Sequence, residues 1–439
     1  MHFYSSSSLA AAALTALSVL PTSVSAGYQS STIDNIAVYW GQNSAGGSGS
    51  QGRLSEYCAD SPVNIIPLAF LNGIKNPISV NFGSASDICT KMSGTNLLRC
   101  PEIEEDIQEC QAMGKTILLS VGGATYNEGG FSSESEAQKY ADKIWAMFGP
   151  PTDDNDVQRP FGKAVIDGFD FDFEAKSSNL VPFGKRLRQN MNASPGTYYL
   201  AVAPQCPFPD VANNEMLAGK LEFDFVMVQF YNNYCGVQSF KSGSTKQNTF
   251  NFETWDNWAK SESANKNVKV MLGIPATTTA GNGYVDADTL SEIIDYCGKF
   301  SSFAGVMMWD MSQLYTNDGY LNKVADALSG AYKPKQSAST VTKTAAISAT
   351  ASSTYDQTSF ITSTTYATTT ISMTRTSGTA VATASTTESH TEAGLYVADQ
   401  SGEGVSQWNQ CGGSGFTGST TCKAPFSCVC SDEWYCQCQ

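Results

Sequence analysis

Histidine is nearly missing from this 439-residue chain, which has only His2, beside an apolar run, and His390, in a serine- and threonine-rich stretch. Ser-His-Asp catalysis and histidine-ligated metal sites therefore have no residues to use, and no cofactor or metal is expected. Positive charge is scarce too: 26 Lys and Arg stand against 41 Asp and Glu, a net charge of −15. A nucleic-acid backbone or an anionic membrane would repel such a chain, whereas a neutral polymer would not. Long apolar runs are also lacking. Leu9 to Leu20 is too short to span a bilayer, no second stretch approaches that need, and the C-terminus has no hydrophobic tail that would direct a lipid anchor. Small residues at Val24-Ser25-Ala26 follow that run, so residues 1–26 read as a secretory signal cut before Gly27.

What the chain has in quantity is cysteine. Thirteen in an exported protein imply disulfides; seven fall before residue 300 and six in the last 29 residues. Between residues 27 and 334, short β-rich runs alternate with helical patterns. The runs are Ile36 to Trp40, Ile65 to Phe70, Thr116 to Val121, Val165 to Glu174, Tyr198 to Ala203, Phe225 to Tyr231, Val268 to Ile274 and Val306 to Trp309. Eight near-continuous apolar strands separated by helices predict an α/β fold, a (β/α)8 barrel. Ser133 with Glu136 looks like a capping box, opening a helix with Tyr140, Ile144 and Met147 on one face and Gly149-Pro150 at its end.

Residues 335–404 turn abruptly to serine, threonine and alanine. They cannot bury enough surface to fold and read as an O-glycosylated linker. Residues 405–439 form a small unit that disulfides must hold, since so short a segment cannot build a sufficient core. The one N-glycosylation sequon, Asn192-Ala193-Ser194, is a candidate surface loop.

The chemistry concentrates in DGFDFDFE, Asp167 to Glu174. As a strand it puts Phe169, Phe171 and Phe173 on one face and Asp170, Asp172 and Glu174 on the other, with the strand ending at Glu174. Neighbouring carboxyls are then about 6.6 Å apart and repel by roughly 2.5 kcal/mol at an effective dielectric of about 20. One of the three should keep its proton, which general acid catalysis needs. A calcium site is the competing reading, but calcium loops interleave acids with turn residues and glycine rather than phenylalanine. Cleavage of a glycosidic bond usually takes two carboxylates on opposite faces of the sugar, and acids sharing one strand approach from one side. Either Asp310 supplies the second group from another strand or the substrate does.

DGFDFDFE resembles the D-G-x-D-x-D-x-E signature of family 18 glycoside hydrolases. IAVYWGQN, LLSVGG, APQCPFPD, VQFYNN and GVMMWDMS, in that order between Ile36 and Ser312, resemble the class III chitinase branch. The resemblance implies a secreted, monomeric, cell-wall-associated endo-chitinase with a TIM barrel. Its retaining reaction would be assisted by the substrate's own N-acetyl group. By that resemblance Glu174 is the acid and then the base, Asp172 orients the acetamide, Asp170 tunes Asp172, and Tyr231 hydrogen-bonds the acetamide carbonyl. Tyr39, Gln229, Asn232, Trp309 and Gly123 bind substrate, with Trp309 as an apolar floor and Gly123 permitting close approach of backbone. It pairs Cys58 with Cys110, Cys89 with Cys100 and Cys206 with Cys235, leaving Cys297 as a buried free thiol.

The opening QWNQCGGSGFTG and closing WYCQC of the tail resemble the family 1 carbohydrate-binding module. Implied there are Cys411–Cys428 and Cys422–Cys438 bridges, an expected third bridge Cys430–Cys436, and a binding face of Trp408, Trp434, Tyr435 and Gln437 for chitin and cellulose surfaces. Two other readings of the barrel are an endo-N-acetylglucosaminidase acting on glycoprotein glycans and a catalytically dead lectin; the presence of Glu174 argues against the second.

Overall fold

The computed structural model describes residues 27–59, 61–75, 77–154, 156–331, 404–405, 410–412, 419–430 and 436–438. Eight strands form the barrel: β1 (Asn35–Val38), β2 (Ile65–Gly73), β3 (Thr116–Gly122), β4 (Gly168–Asp172), β5 (Tyr199–Val202), β6 (Phe225–Gln229), β7 (Lys269–Pro275) and β8 (Phe303–Trp309). Each pairs in parallel with its sequence neighbours, and β1 pairs with both β8 and β2, closing the sheet. The fold is a (β/α)8 barrel.

Alternation along the strands separates two buried layers. Ala37, Ile65, Leu118, Ala201, Met227, Met271 and Met307 pack together in one cluster, as expected of the barrel's interior. Outside it, Phe169 meets Trp145, Phe171 meets Phe183 and Phe223, and Phe173 meets Tyr126, so the aromatic face of β4 lies under its covering elements. The helix Glu134–Phe148 buries Ala137, Ala141, Ile144, Met147 and Phe148. Ser133 Oγ accepts from the Glu136 N–H at 3.2 Å, while the Glu136 carboxylate reaches Ser132 rather than Ser133, so the reciprocal half of the cap falls one residue early.

Three points differ from expectation. The fourth strand is five residues long and stops at Asp172, leaving Glu174 two residues beyond its end. The cause is a local competition for main-chain partners: the Asp172 carbonyl is taken by Gly123 N–H and the Phe173 carbonyl by the Asn213 side chain, so the ladder does not continue. Asn192 sits in the last turn of the helix Leu180–Ala193, exposed but not in a loop, because the helix runs on until Ser194 caps it. Gly123 departs as well, as described below.

Cys58–Cys110, Cys89–Cys100 and Cys206–Cys235 are bonded, and Cys297 is a buried free thiol. The tail is a three-stranded antiparallel sheet, β9 (Gln410–Gly412), β10 (Cys428–Cys430) and β11 (Cys436–Cys438), with β11 in the centre. Its bonds are Cys411–Cys428, Cys422–Cys438 and Cys430–Cys436, and among its described residues the buried ones are Cys411, Cys436 and Cys438.

Candidate active site

The site is built where β4 runs out. Parallel register sets Ser120 of β3 beside Asp170 and Gly122 beside Asp172. Asp170 is fully buried; its Oδ2 accepts from Ser120 Oγ and from the Tyr39 hydroxyl, both at 2.7 Å, while Oδ1 has no partner. Asp172 Oδ1 accepts from Gln229 Nε2 at 3.0 Å, and that amide also donates to the Ala203 carbonyl. Asp172 and Glu174 then line a pocket of about 190 Å³ together with Tyr39, Phe70, Gln205, Gln229, Tyr231, Asn232, Asn233 and Trp309.

One wall of that pocket is apolar. Trp309 stacks on Phe70 with centroids 5.9 Å apart and an interplanar angle of 18°, and Tyr39 lies 5.6 Å from Trp309. Trp309 is only partly buried, which leaves ring surface for a ligand, whereas Tyr39 is 2% exposed and its hydroxyl is spent on Asp170. Asn232 adopts φ 57° and its side chain accepts from the Asn282 N–H at 2.7 Å, fixing the turn after β6. Gly123, by contrast, is not among the lining residues. Its φ of 82° and the Phe70 ring 2.8 Å from where a Cβ would stand show why glycine is needed: it packs under Phe70 and clasps Asp172.

Electrostatics follow from burial more than from repulsion, against the expectation from strand spacing. Burial is the first cause in each case: it pushes Asp170 up to about 6 in spite of the Ser120 and Tyr39 hydrogen bonds. Glu174 is pushed up to about 8, by burial and then by the charge of Asp210. Asp172 is held well above the ordinary carboxylate range by burial, then by Glu174, Asp170 and Asp210. The hydroxyls of Tyr39 and Tyr231 are pushed well up by burial beside these acids. A proton therefore stays on Glu174 at neutral pH.

Asp310 has another use. Its Oδ1 accepts from Ser312 Oγ at 2.8 Å and Gln313 N at 3.0 Å, its Oδ2 from Ser44 N at 3.2 Å, so it caps the turn after β8 instead of facing a sugar. Ser120, Gln205, Asp210, Asn213 and Phe70 were not singled out by the sequence. Ser120, Gln205 and Asp210 lie inside segments that carried the family resemblance, but only strand register and loop path show what their side chains touch. A larger groove of about 1000 Å³ near Lys91, Leu97, Lys143 and Gln158 contains none of Asp170, Asp172, Glu174 and Asp210. Trp408, Trp434, Tyr435 and the side chain of Gln437 lie outside the described residues.

Residues 35–411 match the family model described as glycosyl hydrolases family 18. The chain belongs to that family. It is a glycoside hydrolase, and residues 407–435 match the model of the fungal cellulose binding domain. Among family 18 relatives, it is 52% identical over 318 residues to Endochitinase 33 of Trichoderma harzianum, covering 72% of this chain and 98% of the relative. Similar solved structures include a chitinase from Ipomoea carnea, with a TM-score of 0.55 and 28% identity over 67% of this chain and 99% of the other. A xylanase and alpha-amylase inhibitor protein from Scadoxus multiflorus has a TM-score of 0.54 and 26% identity over 66% and 97%.

Proposed function

We propose that this family 18 hydrolase is a secreted endo-chitinase that cleaves β-1,4 bonds between N-acetylglucosamine units with retention, the substrate's acetamide acting as nucleophile. The observation that carries the mechanism is that Asp172 and Glu174, leaving the same strand end, are the only carboxylates among the described residues lining the pocket, while Asp310 is consumed as a cap. Glu174 holds a proton and gives it to the glycosidic oxygen as the C1–O bond breaks. The acetamide oxygen closes on C1, forming an oxazolinium ion. Asp172 accepts the acetamide N–H and balances its developing charge, and Asp170, whose free Oδ1 has no other partner, shares a proton with Asp172. The Tyr231 hydroxyl, held protonated by burial, donates to the acetamide carbonyl. Water then attacks C1 from the face the leaving group vacated, giving its proton to the Glu174 carboxylate. Trp309 supports the sugar's apolar face.

The domain reading goes with this function: a signal over residues 1–26, a catalytic barrel over 27–334, a glycosylated linker over 335–404, and a polymer-binding module over 405–439 that uses Trp408, Trp434, Tyr435 and Gln437. Asn192 is exposed and open to glycosylation. The chain works as a monomer on chitin and cellulose surfaces, outside the cell or at its wall; no described helix is long and apolar enough to cross a membrane. Proton NMR of the first products from a soluble chitin oligomer tests the mechanism. The β anomer should appear first, and an analogue lacking the acetamide should not turn over. An α anomer as first product sinks substrate assistance.

A further inference from the structure

Three acids on and after β4 serve the reaction above, and a further carboxyl, that of Asp210, stands next to them without a task. Asp210, in the loop after β5, is 4% exposed. Its partners are N–H groups: Oδ1 accepts from the main-chain and side-chain nitrogens of Asn213 at 2.6 and 3.0 Å, and Oδ2 from Gln205 N at 3.2 Å. Ala212 N–H is a further donor. So many donors favour the anion over the acid at this position. Both ends of the carboxylate lead to the reacting groups. The Asn213 amide that binds Oδ1 also donates to the Phe173 carbonyl at 2.9 Å, one residue before Glu174. Gln205, on Oδ2, bridges to Gln229, the residue whose side chain holds Asp172. A simple cap for the short helix Asn214–Leu217 would explain the Asn213 N–H bond alone; the links to Phe173 and Gln205 go beyond it.

We propose, resting on the hydrolase reading above, that Asp210 is a positioning residue for the proton donor: through Asn213 and Gln205 it fixes where Glu174 and Asp172 leave the barrel, and its fixed negative charge is what Glu174 holds its proton against. The order of titration agrees with this. Burial pushes Asp210 up to about 6 against the pull of its N–H donors, and burial with the charge of Asp210 pushes Glu174 up to about 8, so between these values the first is an anion and the second an acid. The other titratable groups around them are Asp170 and Asp172 from β4, Tyr39 after β1, Tyr231 after β6 and Asp310 after β8. All are acids or phenols, and none of the described residues lining the pocket is Lys, Arg or His.

Asp210→Asn in the full chain keeps the shape and removes the charge. On a soluble chitin oligomer the basic limb of its kcat/KM profile should move about one pH unit or more towards acid, because Glu174 then releases its proton more easily. Asn213→Ala keeps the charge and cuts the clip to Phe173; its kcat should fall with the basic limb in place. An unmoved limb in Asp210→Asn, or an equal shift in Asn213→Ala, overturns the proposal. Asp210→Ser serves as a second neutral variant. If neither neutral variant folds, Asn213→Ala decides: a fall in kcat with the basic limb in place supports the positioning role, and an unchanged kcat overturns it. Glu174→Gln also separates the two levels of inference. Retained activity there ends the hydrolase assignment of Glu174, whereas an inactive Glu174→Gln with an unmoved limb in Asp210→Asn ends only the role of Asp210.

Discussion

The barrel and the tail answer the same requirement, a stable surface for a neutral polymer, in opposite ways. The barrel encloses its reacting groups: Asp170 and Asp172 are buried, and their shifted titration comes from that burial. A large apolar interior is what makes it possible to keep unpaired carboxyls out of water. Among its described residues the tail has no such interior. Its described core is cysteine, cross-linked three times, with Val405 and Phe426 packed against it. Chemistry needs the first arrangement and adhesion is satisfied by the second.

Glu174→Gln should break that division most sharply. Hydrolysis of soluble and solid substrates alike should fall by at least the ~10²–10⁴-fold typical of general acid catalysis. Adsorption to chitin should be unchanged, since the tail is untouched. Turnover within tenfold of the parent, measured on material free of contaminating enzyme, would move the acid elsewhere.

Removing residues 335–439 should have the complementary and smaller effect. Rates on soluble oligomers should stay within experimental scatter of the parent, while adsorption to crystalline chitin and its hydrolysis drop several-fold. Pull-down isotherms on chitin and on cellulose read the difference directly. Superimposable isotherms for the two proteins on both polymers would leave the tail without a binding role.

Much of this could be read along the chain because period and composition are local. The alternation in DGFDFDFE placed three phenylalanines outward and three acids inward, and the eight apolar runs correspond to the eight strands. What could not be read depends on contacts between distant segments. The end of β4 is set by Gly123 and Asn213, 49 and 41 residues from Asp172, so Glu174 was placed on the strand instead of beyond it. Asp310 reads along the chain as a candidate second group from another strand; its cap of Gln313 is local, but its bond from Ser44 depends on the loop after β1. Repulsion between neighbouring acids was legible from their spacing, but the larger effect, burial, needs the closed barrel. Asp210 carried no periodic signal, being a loop residue known only by what folds against it.

The absence of any Lys, Arg or His among the described residues lining the catalytic pocket has a further consequence. With Asp170 and Asp210 ionised at neutral pH and no counter-charge, the pocket attracts cations. A glucosamine unit, bearing an ammonium group where the acetamide was, would be drawn into the pocket and yet bring no carbonyl oxygen to close on C1. Partial deacetylation should thus turn substrate into competitor, and its grip should loosen as salt shortens the Debye length to ~10 Å at 0.1 M. Inhibition constants for deacetylated oligomers should rise with ionic strength while KM for fully acetylated ones stays flat; equal salt dependence of the two would show that the field does not reach the sugar.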